Sequence, residues 1–141
     1  MKTIQDILVV DDDSATVEFM IEALQEEGYL CCAAYDGESA LLAITTARPA
    51  LVLLDLHLPD LSGVDVVAQL HRHDLVQVPI VLMTADATAT TQLPTATFPE
   101  YLLKPFYLDD LLACVARFVC PQRRRTPSPA VGSLVRNGTR G

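Results

Sequence analysis

The sequence predicts an α/β protein: a doubly wound, five-stranded parallel sheet with helices on both faces. Three observations carry this. Short apolar runs alternate with segments of helical period along most of the chain. The run Leu51-Val52-Leu53-Leu54 has no polar alternation, as expected of a strand buried on both faces of a parallel sheet. The 141 residues are half apolar and one-fifth charged, enough for one globular core and one ordinary domain.

Each element follows in order. Ile7-Leu8-Val9-Val10 reads as a buried strand ending in acids. Ser14 can cap a helix in which Val17, Met20, Ile21 and Leu24 recur at helical spacing, and Gly28 ends it. Tyr29 to Ala34 reads as a second strand. Asp36-Gly37 is a turn signal, and Ala40, Leu41, Ile44 and Ala47 form a short amphipathic helix that stops before Pro49. The third strand, from Leu51, ends in Asp55. A loop with Pro59, Asp60 and Gly63 follows, then a helix from about Ser62 to His73. Pro79 to Thr84 is a fourth strand and Tyr101 to Leu103 a short fifth. Leu108, Leu111, Leu112, Val115, Phe118 and Val119 give a last amphipathic helix. Right-handed crossovers between these strands place helices on both faces. Residues 121–141 carry Arg123-Arg124-Arg125, three prolines and no helical period. They read as a flexible Arg/Pro-rich tail or linker, with a folded domain over 1–120.

The net charge of −8 argues against direct nucleic-acid binding. No apolar run approaches the roughly 18 residues of a membrane span, and the N-terminus lacks the regions of a signal peptide. The expectation is a cytoplasmic protein without membrane insertion. The four cysteines, Cys31, Cys32, Cys114 and Cys120, form no CxxC pair and read as reduced, mostly buried thiols.

In open α/β sheets, ligands bind beyond the carboxyl ends of the strands. Here the first strand ends in Asp11, Asp12 and Asp13, the third in Asp55, the fourth in Thr84 and the fifth in Lys104. Any one acid can be a turn or cap residue. Together they place carboxylates, a hydroxyl and an ammonium at one rim. Crowded carboxylates raise a pKa or take up a cation, and oxygen-only ligands suit Mg²⁺. A cation, a lysine and a hydroxyl around one free carboxylate are the parts of a phosphoryl-transfer site.

The blocks ILVVDDD, LVLLDLHLPDLSG, PIVLMTA and YLLKPF resemble, in order, the four signature blocks of bacterial response-regulator receivers, over residues 5–119. The resemblance implies a flavodoxin-like (βα)5 fold with strand order 2-1-3-4-5. It implies Asp55 as phosphoacceptor, with Asp11, Asp12, Asp55 and the backbone carbonyl of His57 holding Mg²⁺. Lys104 would pair with Asp55 and then with the phosphoryl group. Thr84 would hydrogen-bond a phosphoryl oxygen, and Tyr101 would be the aromatic switch that turns inward behind it. Lys104-Pro105 is expected to be a cis peptide. The donor would be a sensor histidine kinase or histidine phosphotransfer protein. The receiver would catalyse only its own phosphorylation and dephosphorylation, and would signal to a downstream protein through protein contacts.

The segment 85–99, rich in threonine and holding Pro94 and Pro99, departs from the family and predicts a short, distorted or mobile fourth helix. His57 and Asp86 flank the expected pocket mouth, where they either tune dephosphorylation or simply face solvent. Asp13 reads as a helix-entry acid. His71 and His73 point to different helix faces and do not suggest a metal site. Other readings stay open: a receiver fragment of a larger transcription regulator or hybrid kinase, a phosphorylation-independent interaction module, a phosphatase using Asp11, or a flavin carrier.

Overall fold

A computed structural model describes residues 7–72, 78–85 and 100–120. In chain order the elements are β1 (Ile7–Val10), α1 (Ser14–Glu26), β2 (Cys31–Ala34), α2 (Gly37–Ala47), β3 (Leu51–Asp55), α3 (Gly63–Arg72), β4 (Ile80–Thr84), β5 (Glu100–Leu103) and α4 (Leu108–Ala116). All strand pairs are parallel and the order is β2-β1-β3-β4-β5, as expected. The segments 86–99 and 121–141 lie outside the described residues. So, therefore, do the expectations for a distorted fourth helix, for Asp86 and for the tail.

Strand alternation divides the core in two. Ile7, Val9, Leu51, Leu53, Val81 and Met83 face α1 and α4, meeting Val17, Met20, Leu24, Leu111 and Val115. Leu8, Val10, Val52, Leu54, Ile80 and Leu82 face α2 and α3, meeting Ala40, Ile44, Val66 and Leu70. Full burial of each such aliphatic side chain contributes about 1.5–3 kcal/mol. Both faces of the central strands are therefore committed to packing, and polar chemistry is left to their ends.

The structure moves several boundaries. Asp13, not Ser14, caps α1: its backbone is extended and its carboxylate accepts from the Ala15 amide at 3.2 Å and the Thr16 hydroxyl at 2.7 Å. Gly28 ends that helix with φ 99°, a conformation glycine adopts without penalty. The second strand begins at Cys31 and not at Tyr29, because the Tyr29 amide still donates to the Leu24 carbonyl of the helix. Arg48 closes α2 in the left-handed region at φ 50°, just before Pro49. The third helix begins at Gly63. The fourth ends at Ala116, although Val119 remains buried beyond it. Lys104-Pro105 is cis.

The thiols are less covered than expected. Cys114 is buried, Cys31 and Cys32 are half-buried on the edge strand, and Cys120 is exposed. Cys114 donates to Glu100, which also pairs with Arg117, and burial followed by that carboxylate pushes the Cys114 thiol up to about 12.

Gly63 packs on the backbone that carries the end of β3. Its amide donates to the Leu56 carbonyl at 2.7 Å, and a Cβ there would stand 3.1 Å from the Asp55 carbonyl oxygen and 3.2 Å from Leu56 Cα. Gly63→Ala should destabilise the fold by about 1–3 kcal/mol, read from the urea unfolding midpoint. An unchanged midpoint would show that this loop yields freely.

Candidate functional site

Sheet register assembles the rim. Val10 lies opposite Leu54, so the residues that follow, Asp11 and Asp55, stand side by side on adjacent strands. Asp55 lies opposite Met83, which brings Thr84 one residue beyond it. Thr84 in turn lies opposite Leu103, and the Lys104 amide donates to the Thr84 carbonyl at 2.8 Å. The expected Asp11, Asp55, Thr84 and Lys104 therefore converge because parallel strands end in register. Asp11, Asp55 and Thr84 are all buried.

Lys104 Nζ lies 2.7 Å from Asp11 Oδ2 and 3.6 Å from Asp55 Oδ1. The ammonium thus favours Asp11, the more deeply buried of the two carboxylates, over the Asp55 partner that the sequence suggests. Asp11 also accepts from the Asp13 amide at 3.0 Å, and Asp55 accepts from the His57 amide at 3.4 Å. Burial, and then the negative charge of Asp11, push the Asp55 carboxyl above the usual range, with Lys104 pulling the other way. Burial acts to lower the Lys104 pKa, but the Asp11 hydrogen bond and the two carboxylates outweigh it and hold it above its ordinary value.

Asp12 is exposed beside this pair, and the carboxylate oxygens of Asp11, Asp12 and Asp55 lie within 4.8 Å of one another. Three hard oxygen donors, two of them buried with only one lysine between, fit a divalent cation such as Mg²⁺. The His57 side chain is exposed. An antiparallel bridge from His57 to Ser62 closes the loop after β3. Tyr101, opposite Leu82, shares a sheet face with Thr84. Its ring packs against the α2–α3 side of the core and its hydroxyl is buried with no hydrogen-bond partner among the described residues.

One residue beyond the expected set stands out. Asp60 accepts from the Gly37 amide at 2.7 Å, the Glu38 amide at 3.1 Å and the Leu61 amide at 2.9 Å. The Gly37 amide foremost, with the other two, holds its carboxyl below the usual range. The Pro59-Asp60 turn signal places it in a loop, but nothing local in the sequence names partners 22 and 23 residues away.

Residues 7–116 match the family model described as the response regulator receiver domain. The chain belongs to this family. It is 39% identical over 128 residues to the DNA-binding response regulator MtrA of Mycobacterium tuberculosis, covering 89% of this chain and 54% of that protein. It is 37% identical over 108 residues to the probable transcriptional regulatory protein TcrX of the same organism, covering 75% and 46%. Among solved structures it resembles the response regulator TrrA of Thermotoga maritima in complex with Mg²⁺ and BeF. The TM-score is 0.74 and the identity 34%, over 82% of this chain and all of that one. The chain thus spans about half the length of the curated relatives it matches.

The family is that of a receiver in two-component signalling and not of a conventional enzyme. One expectation is corrected. The net charge argued against direct nucleic-acid binding, but MtrA is named a DNA-binding regulator and this chain matches only about half of it. The charge of a receiver says nothing about a segment it does not include. Among the described residues no helix is long and apolar enough to cross a membrane.

The crowding of carboxylates has a stability signature. The folded-state pKa of Asp55 is raised, so the native state takes up its proton first as pH falls, and the ionised carboxylate weakens the fold at neutral pH. Asp55→Asn should raise the melting temperature at pH 7 by a few degrees. The gap should close as pH falls through the raised pKa and the wild-type carboxyl becomes neutral. A gap that widens in acid would contradict the crowding.

Proposed function

We propose that this protein is a phosphorylation switch that accepts a phosphoryl group on Asp55 from a phosphohistidine of a sensor kinase or phosphotransfer protein. The observation that carries the reading is the placement of Asp55, buried at the end of β3 within reach of both Asp11 and Lys104, in a chain of the receiver family. A Asp55 carboxylate oxygen attacks phosphorus in line. The P–O bond forms as the donor's P–N bond breaks, and the imidazole leaves with that electron pair. Asp11 and Asp12, with Asp55 and the His57 carbonyl, would hold Mg²⁺, which when bound neutralises phosphoryl charge. Lys104 sits between Asp11 and Asp55 and is placed to hold an incoming phosphoryl oxygen. The Thr84 hydroxyl donates to another, and Tyr101, on the same sheet face, follows that movement. Loss of the phosphoryl group to water at the same site resets the switch. Signalling proceeds through protein contacts that the phosphorylated state favours, in the cytoplasm where such kinases present their phosphohistidines.

The coverage of its relatives favours a second reading of the context. In it this receiver is the regulatory part of a longer DNA-binding regulator, and sequencing the transcript that encodes it separates the two.

Incubation with acetyl phosphate and Mg²⁺ should add about 80 Da to the intact mass, the weight of one phosphoryl group. Asp55→Asn and a sample stripped of Mg²⁺ should show no gain. No gain in the wild type, together with no response to beryllofluoride, would leave a phosphorylation-independent interaction module.

A further inference from the structure

The first turn of α2 needs acceptors for its free amides. Asp36, the residue before the helix, serves only the third of them, accepting from Ser39 at 2.8 Å. The first two, Gly37 and Glu38, are taken by Asp60 from a different loop. That loop is the one that leaves Asp55. It passes His57, reaches its tip at Asp60 and Leu61, and returns at Ser62 and Gly63 to the end of β3. Its base is fixed by the Gly63–Leu56 hydrogen bond, and its tip is fixed by Asp60. Leu61 reinforces the tether. It packs so closely on Gly37 that a Cβ there would stand 2.8 Å from Leu61 Cβ.

We propose that Asp60 is a positioning residue for the cation site, holding the loop that presents His57 by anchoring its tip to the N-terminus of α2. The inference rests on the reading of Asp11, Asp12, Asp55 and the His57 carbonyl as cation ligands. Asp60 does not itself reach the ion. It acts through the loop: with the tip released, the His57 backbone has more conformations, and ordering them again weakens cation binding.

The test is Mn²⁺ binding, read from the electron paramagnetic resonance signal of the free ion, with urea unfolding alongside. Asp60→Ala should weaken Mn²⁺ binding by about tenfold, the low end of what loss of an outer support costs a metal site. Asp60→Asn keeps one oxygen, which can still accept from the Gly37 and Leu61 amides that share Oδ1 but leaves the Glu38 amide without its acceptor, and should recover part of the affinity lost in Asp60→Ala. Asp36→Ala removes the other cap from the same helix without touching the loop. It should lower stability comparably and bind Mn²⁺ as the wild type does. Gly37→Ala pushes Leu61 away with Asp60 intact and should weaken binding as Asp60→Ala does. It also decides the matter if Asp60→Ala fails to fold. Wild-type affinity in Asp60→Ala or in Gly37→Ala, or an equal loss in Asp36→Ala, would overturn the inference and leave the cation site standing. Failure of the wild type to bind Mn²⁺ would overturn both.

Discussion

Two carboxylates that parallel register forces side by side are the constraint around which this molecule is arranged. Asp11 and Asp55 follow adjacent residues of β1 and β3, whose side chains fill both faces of the sheet. The strands cannot slip to separate them, because a shift of one residue would turn every aliphatic side chain to the opposite face. The repulsion is met instead by what lies around the pair. Lys104 enters from β5, the Asp13 and His57 amides donate from the two loops, and Asp12 opens the cluster to solvent. Packing energy held in the sheet thus keeps an electrostatically costly arrangement in place.

The same logic explains why the site sits at an edge and depends on loops. A strand buried on both sides offers chemistry only at its end, so Asp11, Asp55, Thr84 and Lys104 are each the last residue of a strand or the first beyond it. The loop after β3 then has two tasks, to leave the sheet and to return a backbone near Asp55. Its glycine at position 63 allows the close return, and its acid at position 60 finds the amides of a neighbouring helix. The turn after β3 is built here from contacts to two different elements.

Much of this was legible in the sequence because it is local or periodic. The strands and their burial followed from apolar runs, and the convergence of Asp11, Asp55, Thr84 and Lys104 followed from strand ends in a doubly wound sheet. What was not legible depends on contacts between distant segments. Asp60 has no local mark, since its partners are set by how two loops meet. The closer approach of Lys104 to Asp11 than to Asp55 depends on how β5 meets β1 and β3 across the rim, which no motif spacing records. The start of β2 was misplaced because Tyr29 has strand-like character, yet its amide completes a helix end while its hydroxyl reaches the Val119 carbonyl at 3.2 Å. Ser14 and Asp13 are both good caps, and only backbone conformation distinguishes them. Direct nucleic-acid binding was set aside on net charge, a property of the stretch in hand, while the relatives extend well beyond it.

The buried hydroxyl of Tyr101 sets two opposing effects on one side chain at the rim. The ring gains from packing on the core, though only part of it is covered, while a dry hydroxyl with no partner among the described residues costs about 1–3 kcal/mol. The two oppose each other, so the net hold on the ring is smaller than its packing alone would give. A change of about 1.4 kcal/mol in that balance would alter the population of this packing about tenfold. A half-covered ring held by such a difference is easier to displace than the aliphatic side chains packed beside it.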